Sequence, residues 1–199
     1  MSEKGKLIVI SGPSGAGKST VVFKAIKDRQ DMCFSVSVTT RKPRPGEQDG
    51  REYFFITHDR FEEMVDNDEL LEHAEYVSNS YGTPRSYVEE KLEQGLNVIL
   101  DIEVQGAGQV NEKVPEAVKI FIIPPSLDEL RRRLESRGTD NAQIVEARLA
   151  RARQEYKEAD FYDYIIINDD AERAARELDA IITAERCRAE NRSFYLKEE

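Results

Sequence analysis

The chain has 199 residues, enough for one compact unit or for a core with insertions. Its formal net charge of −10 argues against a general nucleic-acid binder, which is normally basic. No apolar run reaches membrane length and no signal-peptide pattern opens the sequence. Cys33 and Cys187 lie far apart without a C-x-x-C. Reduced thiols in a cytoplasmic protein are therefore expected, and His58 and His73 form no metal-ligand cluster.

Lys6-Leu7-Ile8-Val9-Ile10-Ser11 reads as a buried strand. Gly12-Pro13-Ser14-Gly15-Ala16-Gly17-Lys18-Ser19-Thr20 follows at once, and Val21, Val22, Ala25 and Ile26 then recur at helical spacing. Strand, glycine-rich loop and helix in that order, with G-x-x-x-x-G-K-[ST] in the loop, predict a phosphate-binding site. Glycines let backbone amides close around an anion, and the helix N-terminus directs its dipole at the same charge. Lys18 adds a cation, and the Ser19 hydroxyl suits Mg²⁺.

Residues 33–38 alternate enough for a strand. Thr39-Thr40-Arg41-Lys42-Pro43-Arg44-Pro45-Gly46-Glu47 reads as a loop with three cations in four residues, held by rigid prolines. A solvated loop and an anion clamp are both open for it. Residues 53–56 read as a strand, and Asp59 to Glu62 as a capped helix start. Residues 69–77 read as a strand, Tyr81-Gly82-Thr83 as a turn, and Pro84 as the opening of a helix to about Gln94. Several short strands between residues 35 and 90 interrupt the strand–helix alternation, as an inserted subdomain would.

Alternation resumes with the apolar strand Leu96-Asn97-Val98-Ile99-Leu100-Asp101. An acid at the carboxyl end of such a strand is a candidate for the active site or a helix N-cap. Residues 118–123 form the next strand, stopped by Pro124-Pro125. Ser126 to Glu129 is a capping box opening a helix that carries Arg131, Arg132, Arg133 and Arg137 and ends at Gly138. A second helix to about Ala159 carries Arg148, Arg151 and Arg153. The two arginine-bearing helices look like a lid. Arg131, Arg132, Arg151 and Arg153 suit pairing with neighbouring glutamates instead. Residues 164–167 are the last strand, Asn168-Asp169-Asp170 caps the last helix, and a frayed tail is expected from about residue 191.

A phosphate loop, a cationic loop, an inserted subdomain and an arginine lid together suit phosphoryl transfer. That reaction needs positioning, neutralisation of spread charge and exclusion of water. On these residues the chain resembles the guanylate kinases over about residues 6–190. The resemblance rests on Ser11–Thr20, the Ser-x-Thr-Thr-Arg-x-Pro-Arg-x-Gly-Glu run from Ser37 to Glu47, and Asp49-Gly50-Arg51-Glu52-Tyr53. Leu71-Glu72, Tyr81-Gly82-Thr83, Leu100-Asp101, Pro124-Pro125-Ser126, Arg137-Gly138 and Ile167-Asn168-Asp169-Asp170 continue it.

The resemblance implies an α/β fold: a P-loop NTPase core with a parallel sheet flanked by helices, an inserted mixed β-rich subdomain and a helical lid. It implies core segments 1–34, 95–125 and 160–190, a GMP-binding subdomain 35–94 and a lid 126–159. It implies transfer of the γ-phosphoryl group of ATP to GMP, and to dGMP, with Mg²⁺ at Ser19, and no nucleic-acid or membrane partner. Gly12, Pro13, Ser14, Gly15, Ala16, Gly17, Lys18, Ser19, Thr20, Arg133, Arg137 and Asn168 would bind ATP. Ser37, Arg41, Arg44, Tyr53, Glu72, Tyr81, Thr83 and Asp101 would bind GMP. Lys18, Arg41, Arg137 and Arg148 would be catalytic. Glu103 stands where the family pattern has aspartate and is given no role. The alternative is a guanylate-kinase-like interaction module without catalysis. Such modules typically carry a damaged phosphate loop, whereas Lys18, Ser19 and the lid arginines are intact here.

Overall fold

The computed structural model describes residues 4–76, 78–136, 138 and 140–196. In chain order the elements are β1 (Leu7–Ser11), α1 (Lys18–Ile26), β2 (Met32–Phe34), β3 (Val38–Thr39), β4 (Phe54–Phe55) and α2 (His58–Asp66). Then come β5 (Leu70–Tyr76), β6 (Asn79–Pro84), α3 (Arg85–Glu93), β7 (Asn97–Asp101), α4 (Val104–Lys113) and β8 (Val118–Ile123). The chain continues through α5 (Leu127–Ser136), α6 (Ala142–Lys157), β9 (Tyr164–Ile167), α7 (Ala171–Arg186) and α8 (Ala189–Arg192). A five-stranded sheet runs in the order β2-β7-β1-β8-β9, and a four-stranded sheet in the order β4-β3-β6-β5. The fold is α/β, a parallel sheet flanked by helices. No helix among the described residues is long and apolar enough to cross a membrane.

The chain divides into two compact units. One comprises the described residues up to Leu7 with Asp31–Leu100 and Gln105–Ala117. The other comprises Ile8–Gln30, Asp101–Val104 and the described residues from Val118 onward.

In the second unit β1 is buried along its length and pairs in parallel with β8, Ser11 lying opposite Phe121. β8 pairs in parallel with β9. Such continuous apolar strands are what a sheet covered on both faces requires. α1 packs on α7; a Lys24–Glu172 ion pair ties the two helices, and Arg29, just beyond α1, pairs with Asp179 of α7. α5 and α6 share their own core of Leu130, Leu134, Val145, Leu149 and Ala152. The Ser126 hydroxyl accepts the Glu129 amide, as the capping box predicts.

In the first unit β2 pairs in parallel with β7. β3 pairs in parallel with β4, while β6 runs antiparallel to both β3 and β5. Val38, Phe61, Met64 and Leu70 fill the space between this small sheet and α2.

Several expectations are corrected. Residues 33–38 are not one strand: β2 and β3 join different sheets. Alternation marks extended chain but does not say where it changes partner. Tyr81-Gly82-Thr83 is no turn but the middle of β6. Gly82 is there for a close approach, since a Cβ would stand 2.8 Å from Leu70 Cδ1 and 3.0 Å from the Glu72 carbonyl oxygen. α2 is capped by Thr57, whose hydroxyl accepts the Arg60 amide, rather than by Asp59. α4 was not anticipated, because Gly106 and Gly108 in its interior lower its helix propensity. Residues 193–196 form a 3₁₀ turn after α8.

Candidate active site

The phosphate loop joins β1 to α1. Gly12, Gly15 and Gly17 have φ of 147°, 96° and 86°. At Gly12 the glycine is also forced by space, for a Cβ would stand 2.0 Å from the Ile122 carbonyl oxygen. Gly17 in the left-handed region is the N-cap of α1, and no side chain caps that end. The first-turn amides and dipole are therefore directed at the loop. Lys18 folds back over it, Nζ donating to the Gly12 carbonyl at 2.6 Å. Ser14, Ser19 and Thr20 are at least partly exposed, whereas Pro13 and Ala16 are buried.

Residues of α5, α6 and the turn after β9 in the same unit converge on this loop. Arg148 Nη1 donates to Ser14 Oγ at 2.9 Å, and its Nε lies 3.2 Å from Asp140 Oδ2. Arg133 is tied three ways: Nε to Glu129 Oε1 at 2.7 Å, Nη2 to the Asn168 carbonyl at 2.8 Å, and Nη1 to the Ala16 carbonyl at 3.3 Å. Buried Asn168 donates its side-chain amide to the same Ala16 carbonyl at 2.7 Å. Arg137 lies outside the described residues. Arg132 and Arg151 pair with glutamates at helical spacing, as expected, whereas Arg131 reaches Glu135 one turn on at 3.9 Å and pairs more closely with Glu146 of α6; no such pair is seen for Arg153 among the described residues. Bonds from Arg132 and Arg133 hold the Glu129 carboxyl down at about 2.

Asp101 belongs to this unit as well, at the carboxyl end of β7. It is exposed by area, yet the protein packed round its carboxyl raises its pKa, while Lys18 pulls the other way. Glu103 is engaged by Arg151 Nη2 at 2.6 Å, and Arg151 Nε reaches Glu155 Oε1 at 3.0 Å.

In the first unit two groups form on the small sheet. The Arg41 guanidinium lies 5.4 Å from the centre of the Tyr53 ring, which meets Tyr81 edge-on at 5.9 Å. Arg41 Nη2 donates to Glu47 Oε1 at 2.9 Å, and Nη1 to the Lys42 carbonyl at 2.8 Å. The Arg44 amide donates to Glu47 Oε2 at 2.7 Å, while the residue as a whole is exposed. The second group is buried: Thr83 Oγ1 donates to Glu72 Oε1 at 2.6 Å. Tyr81 and Thr83, two residues apart on β6, face the same side of the sheet. Ser37 precedes β3, and its carbonyl accepts the Phe54 amide.

Glu47, bonded to Arg41, and Glu129, expected only as part of the capping box yet bonded to Arg133, add to the site predicted from the sequence. A lone acid closing the cationic loop at position 47 and an i,i+4 pair on α5 were the available signals. Among the described residues no group of three His, Cys, Asp or Glu is placed to hold a metal ion.

The family model described as guanylate kinase matches residues 4–185. The guanylate kinase of Lactococcus lactis subsp. lactis is 52% identical over 190 residues, covering 96% of this chain and 93% of that protein. That of Bacillus anthracis is 51% identical over 199 residues, covering 99% and 97%. The crystal structure of guanylate kinase from Anaplasma phagocytophilum superposes with a TM-score of 0.69 at 35% identity, covering 94% of this chain and 89% of that one. The SH3-kinase fragment of tight junction protein 3 shares the fold alone, with a TM-score of 0.50 at 14% identity over 94% of this chain and 58% of that one.

Proposed function

This chain belongs to the guanylate kinase family, and from that premise we propose how its residues move the γ-phosphoryl group of ATP to GMP. The phosphate loop, Lys18, Arg133, Arg148, Asn168 and Arg137 form the ATP half. Arg41, Arg44, Tyr53 and Tyr81 take the GMP phosphate. Ser37, Glu72, Thr83 and Asp101 surround the guanine. The observation that carries the acceptor assignment is the Glu72–Thr83 bond on the face of β6 that also bears Tyr81. A buried carboxylate can accept both N1–H and the 2-amino group of guanine. Adenine has neither donor there, and an unanswered buried carboxylate disfavours it by about 10⁴.

The acceptor oxygen is a phosphate oxygen already ionised at neutral pH, so no general base is required. Loop amides and Lys18 hold the donor phosphates and neutralise charge as it moves. Arg148 and Arg133 add bidentate donors that lysine lacks. Arg41 fixes the acceptor phosphate against the Tyr53 ring.

Mg²⁺ fits this donor set. The Ser19 hydroxyl lies in the uncapped first turn of α1, and no protein metal cage is present among the described residues. A phosphate-loop Ser or Thr hydroxyl, with nucleotide phosphates and water, contributes to holding Mg²⁺ in proteins of this type. Bound there, the ion would neutralise and orient the donor phosphates. Cys33 and Cys187 are free thiols, which accords with a cytoplasmic enzyme.

A coupled ADP-release assay across GMP, dGMP, AMP, UMP and CMP tests the proposal. GMP and dGMP should turn over and the others should not. AMP turnover comparable to that of GMP would overturn the base-pocket assignment.

A further inference from the structure

The carboxylate assigned to the guanine edge rests against a glycine. Gly106 is the third residue of α4 and is buried. A Cβ built on it would stand 2.8 Å from Glu72 Oε2, 3.4 Å from its Cδ and 3.5 Å from its Cγ. The backbone does not explain the glycine, because Gly106 sits in regular helix without a positive φ. Alanine would be the better helix former there. Gly108, two residues on in the same helix, is a built-in comparison: a Cβ at that position would meet nothing within 4 Å.

We propose that Gly106 is a specificity-determining residue for the acceptor base, its missing Cβ setting the depth at which the Glu72 carboxylate sits. This inference rests on the reading of Glu72 as the guanine acceptor. Thr83 holds Oε1 at 2.6 Å, so a side chain at position 106 displaces chiefly Oε2. The displaced atom is the far end of a flexible side chain, and the fold absorbs the shift by rotation. The consequence falls on recognition instead. Two donors on one base edge must both meet acceptors at hydrogen-bond distance, and a shift of several tenths of an ångström spoils that match.

Gly106→Ala should raise KM for GMP about tenfold, less than the ~10² expected for a full 1 Å misplacement. KM for ATP should stay within about twofold, and the GMP-over-AMP preference should narrow. The thermal midpoint should not fall, and Gly108→Ala should leave the kinetic values unchanged while its midpoint rises with the better helix former. In a Glu72→Ala background, adding Gly106→Ala should leave KM where it is and should not lower stability.

Glu72→Gln is measured alongside. If it erodes selectivity while Gly106→Ala does not, the Gly106 inference falls and the Glu72 assignment stands. If Glu72→Gln leaves selectivity intact, the Glu72 assignment falls and this inference with it. Should Gly106→Ala fail to fold, the Glu72→Ala background decides. A folded double variant locates the conflict at the carboxylate and supports the inference. An unfolded one assigns the glycine to packing and overturns it.

Discussion

Arg41 and Glu47 face each other within one loop, Nη2 to Oε1 at 2.9 Å, and the other oxygen of Glu47 accepts the Arg44 amide at 2.7 Å. One carboxylate thus orients the guanidinium that the acceptor phosphate would meet and closes the loop carrying it. Glu47→Gln keeps the shape and removes the charge. KM for GMP should rise about fivefold with kcat little changed, a modest effect because partly exposed pairs are worth less than buried ones. Steady-state kinetics with GMP varied at saturating ATP will check this, and an unchanged KM would mean that the Tyr53 and Phe55 rings and the Lys42 carbonyl suffice to orient Arg41.

Lys18 makes its hydrogen bond within the loop, to the Gly12 carbonyl, so Lys18→Ala should leave the far-ultraviolet circular dichroism spectrum intact. The loss should appear in kcat, by about 10²–10³, the usual consequence of removing one donor from a developing charge. Near-normal turnover would remove Lys18 from the catalytic group.

Glu129 gives a pH test. Its carboxyl is held at about 2 by bonds to Arg132 and Arg133, below the ordinary value of 4.5. A group whose pKa is lowered on folding stabilises the folded state above the unfolded value. That contribution is lost as pH falls from about 4.5 through about 2. Arg133 should therefore keep its orientation throughout the neutral range. NMR titration of the Glu129 carboxyl carbon should give a midpoint near 2. A midpoint near 4.5 would show that the pairs do not persist in solution.

Tyr162 is a different case. Its hydroxyl and that of Ser11 are buried without a hydrogen-bond partner among the described residues. Burial pushes the phenol up to about 12, and the nearby Ser11 hydroxyl draws it back without reaching bonding geometry. Tyr162→Phe removes a desolvated hydroxyl and keeps the ring on Phe121. Stability should be unchanged or raised by up to about 1 kcal/mol. Thermal melts will check it, and a loss of more than about 1 kcal/mol would show that the hydroxyl is satisfied in solution, for instance by ordered water.

Legibility in the sequence followed the range of each signal. β1, the glycine loop and α1 are contiguous, and each follows from local rules of strand, turn and helix. The apolar runs that became β8 and β9 were equally plain, as was the Ser126 cap. Harder to read was anything decided by a partner distant in sequence. Tyr81-Gly82-Thr83 looked like a turn because glycine usually marks one. It is strand because it pairs with β3 and β5, and the glycine is needed because Leu70 and the Glu72 carbonyl crowd that position from β5. α4 was invisible for a related reason: two glycines mask a helix whose position is set by tertiary packing.

The sequence by itself determined the chemistry on offer: a phosphate cradle with its lysine and hydroxyl, an arginine loop stiffened by proline, and arginines on two amphipathic helices. These are local properties, because backbone preference, charge and short-range capping act over a few residues. Tertiary structure alone decided what each group touches. It directed Arg133 to Asn168 and Ala16 and pressed the Glu72 carboxylate against Gly106. Those contacts join residues as much as 117 positions apart, and they arise only when packing brings separate elements within hydrogen-bond range.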